Sequence, residues 1–306
     1  MHKYVIKRLL MMIPVLVCVA FVIYAIMNVA EGDPVYSVVS ADATEAQIEA
    51  AREELGLNGT LLERYFRYVK GMLTGDLGTS YVSKRDVMQT YLERLPNTLK
   101  LASVTMVVAL AISIPLGIIA AVRRGKLADG FSMVFATIGV SVPSFVICVL
   151  MMYLFCEKWK IFPSYGLKSW KGYILPVFCM AFSQIAYITR LMRSSMLETL
   201  RQDYIRTARA KGVPGFKVIF GHALKNSLIP VITYFGPMLA YIVTGSIVVE
   251  QIFAVPGIGR AFVNSITGRD YPLIMGTTII LACLIIIMNL VSDLLYKIVD
   301  PRIELD

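Results

Sequence analysis

The sequence predicts an all-α integral membrane protein with six spanning helices and a small helical segment outside the bilayer after the first span. Three observations predict it. Of 306 residues 57% are hydrophobic, and the mean hydropathy of +0.68 exceeds what a soluble core of this size requires. Six apolar runs approach the ~20 residues that a helix needs to cross the hydrocarbon: Leu9 to Ala30, Leu101 to Val122, Phe131 to Phe155, Tyr173 to Thr189, Asn226 to Val249 and Tyr271 to Ser292. None alternates polar and apolar residues as barrel strands do, and a lipid-exposed backbone must satisfy its own hydrogen bonds, so the runs read as helices.

The first run follows a basic N-terminus, as a secretory signal would, but it is longer than a signal core of about 7 to 15 residues. Val29-Ala30-Glu31 also offers no small-x-small cleavage site, so this run reads as a retained anchor helix. Composition then shifts abruptly to charged and polar over Glu31 to Asn97. Thr60 with Glu63 forms a capping box, and Leu61, Leu62, Tyr65, Phe66, Val69, Met72 and Leu73 repeat at helical spacing until Gly75. Similar patterns run from near Thr44 to Gly56, and from near Ser83 through Val87, Met88, Tyr91, Leu92 and Leu95. Three short amphipathic helices are expected, too small a set to fold alone and so resting on the outer ends of the spans. Asn58-Gly59-Thr60 matches a glycosylation sequon and is read as chance. The fourth span is the shortest and is expected to borrow a turn past Arg190. Pro115, Pro143, Pro176, Pro230 and Pro237 fall in or at the ends of spans, where they would kink helices and free carbonyls.

Lys and Arg placement sets the orientation. With a cytoplasmic N-terminus, the inner face collects Lys3, Lys7, Arg8, Arg123, Arg124, Lys126, the long loop after the fourth span, Lys297 and Arg302. The inner segments then hold 16 basic and 7 acidic residues and the outer ones 14 of each, so the whole excess of +9 lies on one side and both termini are cytoplasmic. The charge reports topology and carries no nucleic-acid meaning.

Several chemistries are excluded. Cys18, Cys148, Cys156, Cys179 and Cys283 include no CxxC pair and read as packing residues, and two histidines, His2 and His222, cannot build an HExxH zinc site. His222 reads as a structural hydrogen-bonding residue. Gly125-Lys126 lacks the upstream glycine and following hydroxyl of a phosphate-binding loop, and Pro256-Gly257-Ile258-Gly259 reads as a turn. The six span interiors hold no ionisable residue, Glu250 and Asp293 lying at helix ends, which argues against an ion-coupled carrier. What remains is a passive pore or a membrane subunit driven by a separate ATPase.

The segment from Glu198 to Pro230 favours the second. It is longer than a connection needs and too short for a domain, and it carries Arg201, Arg206, Arg209, Lys211, Lys217 and Lys225. Its Arg206-Thr207-Ala208-Arg209-Ala210-Lys211-Gly212, followed by His222-Ala223-Leu224-Lys225-Asn226 and Leu228-Ile229-Pro230, resembles the cytoplasmic EAA loop of permease subunits of bacterial ABC importers. Arg206-Thr207 stand where the general motif has Glu-Ala, and Pro230 lies farther from Gly212 than usual. Both departures resemble the dipeptide/oligopeptide/nickel branch. So do Lys7-Arg8-Leu9-Leu10, Glu31-Gly32-Asp33-Pro34, Leu55-Gly56-Leu57, Gly75-Asp76-Leu77-Gly78, Arg94-Leu95-Pro96-Asn97-Thr98-Leu99, Gln251-Ile252-Phe253, Pro256-Gly257-Ile258-Gly259 and Arg269-Asp270-Tyr271-Pro272. The likeness covers nearly the whole chain.

The resemblance implies a type I ABC importer fold: residues 1–30 as N-terminal end and first span, 31–97 as the extracytoplasmic segment, 98–296 as a five-helix core with the coupling loop at 198–227, and 297–306 as a cytoplasmic tail. It implies uptake of dipeptides or oligopeptides, or alternatively of nickel or another small solute. Outside the family the rival is a non-ABC channel or scaffold. Implied partners are a second permease in a heterodimer, two ATP-binding subunits, an extracytoplasmic substrate-binding protein and membrane lipid, in the bacterial cytoplasmic membrane. No cofactor is implied in this chain, since ATP and Mg would sit in the partner subunits, and no nucleic acid is involved. Arg206 to Gly212 would seat in an ATPase groove, with Ala208 and Gly212 on the closely packed side and Arg206, Arg209 and Lys211 facing carboxylates. Ser141, Ser144, Gln184, Thr233 and Asn289, polar residues within spans, are candidates for the translocation path.

Overall fold

The computed structural model describes residues 2–29, 34–40, 42–167 and 169–299. Ala30, the motif residues Glu31-Gly32-Asp33 and the tail 300–306 with Arg302 lie outside the described residues. In chain order the helices are α1 (His2–Val29), α2 (Glu45–Glu54), α3 (Leu61–Thr74), α4 (Val87–Val122), α5 (Leu127–Ser141), α6 (Ser144–Met151) and α7 (Lys171–Thr199). They continue as α8 (Asp203–Ala210), α9 (Gly215–Lys217), α10 (Leu224–Ser227), α11 (Ile229–Thr233), α12 (Phe235–Ile252), α13 (Ile258–Thr267) and α14 (Tyr271–Val299). Among the described residues no strand forms, and one isolated bridge pairs Thr79 with Asp86. Among the described residues five helices are long and apolar enough to cross a membrane, or six if α5 and the helix after it make one broken span. The chain divides into two compact units, 1–99 with 254–287 and 100–253 with 288–306.

In the first unit, local sequence signals place the short helices. The Thr44 N–H donates to Gln47 Oε1 at 2.9 Å and starts α2. The Thr60 N–H donates to Glu63 Oε2 at 2.8 Å and the Glu63 N–H returns to Thr60 Oγ1 at 3.3 Å, which starts α3. The Thr60 backbone N–H foremost, and the Thr60 hydroxyl after it, hold the Glu63 carboxyl below its ordinary value. The buried Tyr65 then anchors α3: it packs with Ala20 and Ile279 and donates its hydroxyl to the Val17 carbonyl at 2.9 Å. The segment therefore rests along α1, reaching the middle of its apolar run rather than its end alone.

The third expected short helix is not separate, because α4 runs unbroken through 36 residues from Val87. Pro96 removes one hydrogen bond without ending the helix, and the polar side chains after it serve a distant backbone. Asn97 Nδ2 donates to the Pro256 carbonyl at 3.0 Å, and the Ile258 N–H donates to Thr98 Oγ1 at 2.9 Å, satisfying the start of α13. The carboxylate of Asp270, buried just before α14, accepts from the Tyr81 N–H at 3.0 Å and from the Ser80 hydroxyl.

The second unit is built around α7, 61% of whose apolar stretch is buried against 6% for α1. α5 packs along α7, and a Cβ at Gly139 would fall 2.5 Å from Ala186 Cβ, so only glycine permits this approach. The helix of the fourth span extends past Arg190 by about two and a half turns rather than one. The third expected span is interrupted: α5 ends at Ser141, Val142 is extended ahead of Pro143, and the chain resumes at Ser144 bent by 101°. The fifth run is also divided, into α10, α11 and α12, with Pro230 and Pro237 each in the first turn of a piece, where a missing N–H costs least. Pro115 and Pro176, by contrast, sit inside continuous helices.

Candidate functional site

α7 carries the chain as a helix to Thr199, and Gln202, in extended conformation, caps α8. Asp203 in the first turn suits the positive end of the helix dipole, and the Thr207 hydroxyl donates to the Asp203 carbonyl at 3.0 Å. Ile205 and Ala208, three residues apart and so on one face, are buried as α8 packs on Val218–Ala223, a stretch widened to π-helical hydrogen bonding. Asn226 Nδ2 donates to the Tyr204 hydroxyl at 2.7 Å and ties the far end of the loop to α8. Arg206, Thr207, Arg209, Ala210, Lys211 and Gly212 are all exposed.

The helix ends in a motif that closes its carbonyls. The Gly212 N–H donates to the Arg209 carbonyl at 2.9 Å and the Val213 N–H to the Ala208 carbonyl at 3.2 Å, with Gly212 left-handed at φ +75°. Nothing lies within 4 Å of where a Gly212 Cβ would be. The sequence reading placed Ala208 and Gly212 on one closely packed side, and the structure separates them. Ala208 is covered by the chain's own 218–223 stretch, while Gly212 looks outward. His222 differs from expectation too: it is exposed and its side chain makes no hydrogen bond among the described residues, the widened turn burying Val218 and Ala223 instead.

Sequence reasoning missed two features. Phe216 and Phe220 stack at 4.5 Å while 74% and 45% exposed, an aromatic pair on the same loop, and their i, i+4 spacing in a polar segment was the available signal. The second is the ion pair beneath the loop. Arg193 Nε and Nη2 donate to the two carboxylate oxygens of the buried Asp129 at 2.6 and 2.9 Å, and Asp129 also accepts from the Gly125 N–H at 2.9 Å. This bidentate pair fixes the start of α5 to α7 six residues before α7 ends. Beside it opens a cleft of about 490 Å³ that includes Arg124, Glu198 and Arg201.

The candidate path residues are dispersed. Ser141 is exposed at the end of α5, and Ser144 begins α6 and lines a small cavity with Ser183 and Tyr241. Gln184 is buried and accepts from the Tyr234 hydroxyl at 3.4 Å. Thr233 is exposed with its hydroxyl donated to the Ile229 carbonyl at 2.9 Å, and Asn289 is half-buried on α14. No hydrogen bond joins any two of the five among the described residues. Glu250, at the end of α12, is wholly buried.

Known proteins resemble this chain over its full length. The family model for the binding-protein-dependent transport system inner membrane component matches residues 113–305, and its N-terminal counterpart matches residues 1–102. The oligopeptide transport system permease protein AppB of Bacillus subtilis is 41% identical, covering 99% of this chain and 100% of its own. The dipeptide transport system permease protein DppB of the same organism is 40% identical over 100% of this chain and 99% of its own. The glutathione transport system permease protein GsiC of Escherichia coli K12 is 38% identical over 99% of each. Among solved structures, an inward-facing MetNI methionine ABC transporter superposes with a TM-score of 0.59 at 18% identity, covering 69% of this chain and 97% of that one, a likeness of fold.

Proposed function

This chain belongs to the family of binding-protein-dependent transport system inner membrane components, and we propose that it is the membrane-spanning permease subunit of an ATP-driven importer of dipeptides or oligopeptides. The end-to-end identity with peptide permeases carries the reading. Family membership makes the chain a transporter component of the inner membrane. In the proposed arrangement both termini are cytoplasmic, and a second, different permease, two ATP-hydrolysing subunits and a substrate-binding protein complete the machine. ATP and Mg belong to the partner subunits. The divisions at residues 30, 97 and 296 stand as the proposed domain organisation.

The loop from Arg206 to Gly212 is the proposed coupling element. Its inner face, Ile205 and Ala208, is already covered, so force applied to the exposed face passes into the Val218–Ala223 stretch and, through it, to α10 and α7, which pack together. The Asp129–Arg193 pair makes α5 follow α7. Arg209 and Lys211 would meet partner carboxylates, Phe216 and Phe220 would fill an apolar groove, and Gly212 would allow a close backbone approach. Ser141, Ser144, Gln184, Thr233 and Asn289 remain the proposed path residues. Of these Ser144 has the most direct support, because it lines a cavity at the broken third span.

The test is uptake of a labelled dipeptide into proteoliposomes holding all the subunits. ATP-dependent accumulation that requires this chain supports the reading. Entry that needs no ATP and stops at equal concentrations on both sides would mean a passive pore and would overturn it.

A further inference from the structure

In the unit formed by residues 1–99 and 254–287, a cavity of about 510 Å³ lies among the end of α1 at Tyr24 and Asn28, the α3 face bearing Arg64, Arg67 and Tyr68, and the first turn of α14 at Tyr271. Arg64 and Tyr68 are one helical turn apart and both line it. Arg64 donates Nη2 to Asn28 Oδ1 at 2.8 Å, but its Nε is buried without a partner, and so is the Tyr68 hydroxyl. Arg67 donates Nη1 to the Gly56 carbonyl at 3.2 Å, which leaves the rest of its fork available.

The neighbouring carboxylates are occupied elsewhere. Asp76, which also lines the cavity, accepts from the Gly78 N–H at 2.9 Å; Asp270 is held by Ser80 and Tyr81, and Glu63 by its capping box. Neither Arg64 nor Arg67 is ion-paired or hydrogen-bonded to a carboxylate among the described residues, although the Arg67 charge is felt by Glu63 one turn away. Buried donors are almost always satisfied, and two orphans on residues that line one cavity, beside the free part of the Arg67 fork, call for a shared acceptor.

We propose that this cavity binds an oxyanion, phosphate or carboxylate, through Arg64, Arg67 and Tyr68, and that its source is the phosphodiester of a phospholipid headgroup. The depth favours lipid: Tyr24 and Asn28 close one apolar run and Tyr271 opens another, the level at which headgroups and interfacial tyrosines lie. A guanidinium meets phosphate oxygens in a two-pronged geometry that an ammonium cannot supply. The depth argument rests on the spans of the permease reading, whereas the oxyanion chemistry stands on the cavity alone.

The experiment uses the full-length chain in dodecyl maltoside micelles, titrated with dioleoylphosphatidylglycerol, with dioleoylglycerol as the phosphate-free control, and separately with inorganic phosphate and alanyl-alanine. Retained ligand is read by native mass spectrometry and stabilisation by the thermal midpoint. The phospholipid should be retained and raise the midpoint while dioleoylglycerol does neither. Arg67→Gln and Tyr68→Phe, which keep the fold because Arg67 is exposed and the ring of Tyr68 is preserved, should each weaken apparent affinity about tenfold, the weight of one charge-assisted hydrogen bond. Saturation by phosphate or alanyl-alanine with the same losses would uphold the oxyanion site and assign it a free ligand. Wild-type affinity in both variants, or equal binding of dioleoylglycerol, would overturn it. Uptake is not measured, so an error in the transport assignment would leave this result unchanged.

Discussion

The segment Glu31 to Asn97 and the loop Glu198 to Asn226 are both polar, helical excursions from an apolar chain, yet they use their polar groups in opposite ways. In the first, side chains reach distant backbone: Tyr65 to Val17, and, just past its end, Thr98 to Ile258. The second is held by the buried Ile205 and Ala208 and by the Asn226–Tyr204 bond, and it turns its cations and an aromatic pair outward. Its ion pair of Arg206 with Asp203 at 3.5 Å, the one found within the loop among the described residues, is exposed on both sides and contributes little. Where polar groups are consumed within the chain, as in most of the first segment apart from the Arg64, Arg67 and Tyr68 cluster, they make architecture. Polar and apolar groups both left facing out make a segment an interface that is complete only with a partner.

Substitutions can break that contrast at either end. The largest effect is expected at Gly212. Gly212→Leu should abolish uptake while the amount of chain in the membrane stays at the wild-type level, whereas Gly212→Ala, which adds the left-handed strain of ~1–2 kcal/mol but little bulk, should retain part of it. Equal uptake in both would show that strain, not partner contact, governs the site.

Next comes Asp129→Ala, which strands Arg193 in a largely covered position and should lower folding stability by about 3 kcal/mol, read from the thermal midpoint in detergent. An unchanged midpoint would detach the ion pair from the proposed lever. Replacing Phe216 and Phe220 together with alanine should leave stability alone, since both are exposed, and reduce uptake about tenfold through a weakened partner contact. A loss of stability instead would mean that the chain itself covers these rings. The smallest effect belongs to the first excursion: Thr60→Ala removes a cap and should cost about 1 kcal/mol, visible as faster hydrogen exchange in α3, with uptake per folded chain unchanged.

What the sequence made legible was local. The starts of α2 and α3 follow from capping residues three positions from their partners, and the turn at Gly212 follows from a glycine two residues before a proline. The merging of the third short helix into α4 was not legible, because Pro96 looks like a stop and the side chains that serve α13 lie about 160 residues from their acceptors or donors. Pro143 signalled an interruption of the third span, but its bend of 101° depends on packing. The outward face of α8 was equally hidden. Ala208 is small enough for a partner groove, and only the fold of 218–223 back onto it shows that its place is taken. The Asp129–Arg193 pair joins positions 64 residues apart with no pattern to link them, and of the path residues, chosen for polarity within spans, Thr233 bonds its own helix and Gln184 accepts from Tyr234.

The most direct test of the coupling loop is a photo-crosslinker in place of the exposed Lys211, one residue from the Gly212 turn, in the assembled transporter. The account predicts a covalent product with the ATP-hydrolysing subunit whose yield changes when ATP is added. Adducts with lipid or water alone, in a complex that still transports, would contradict it.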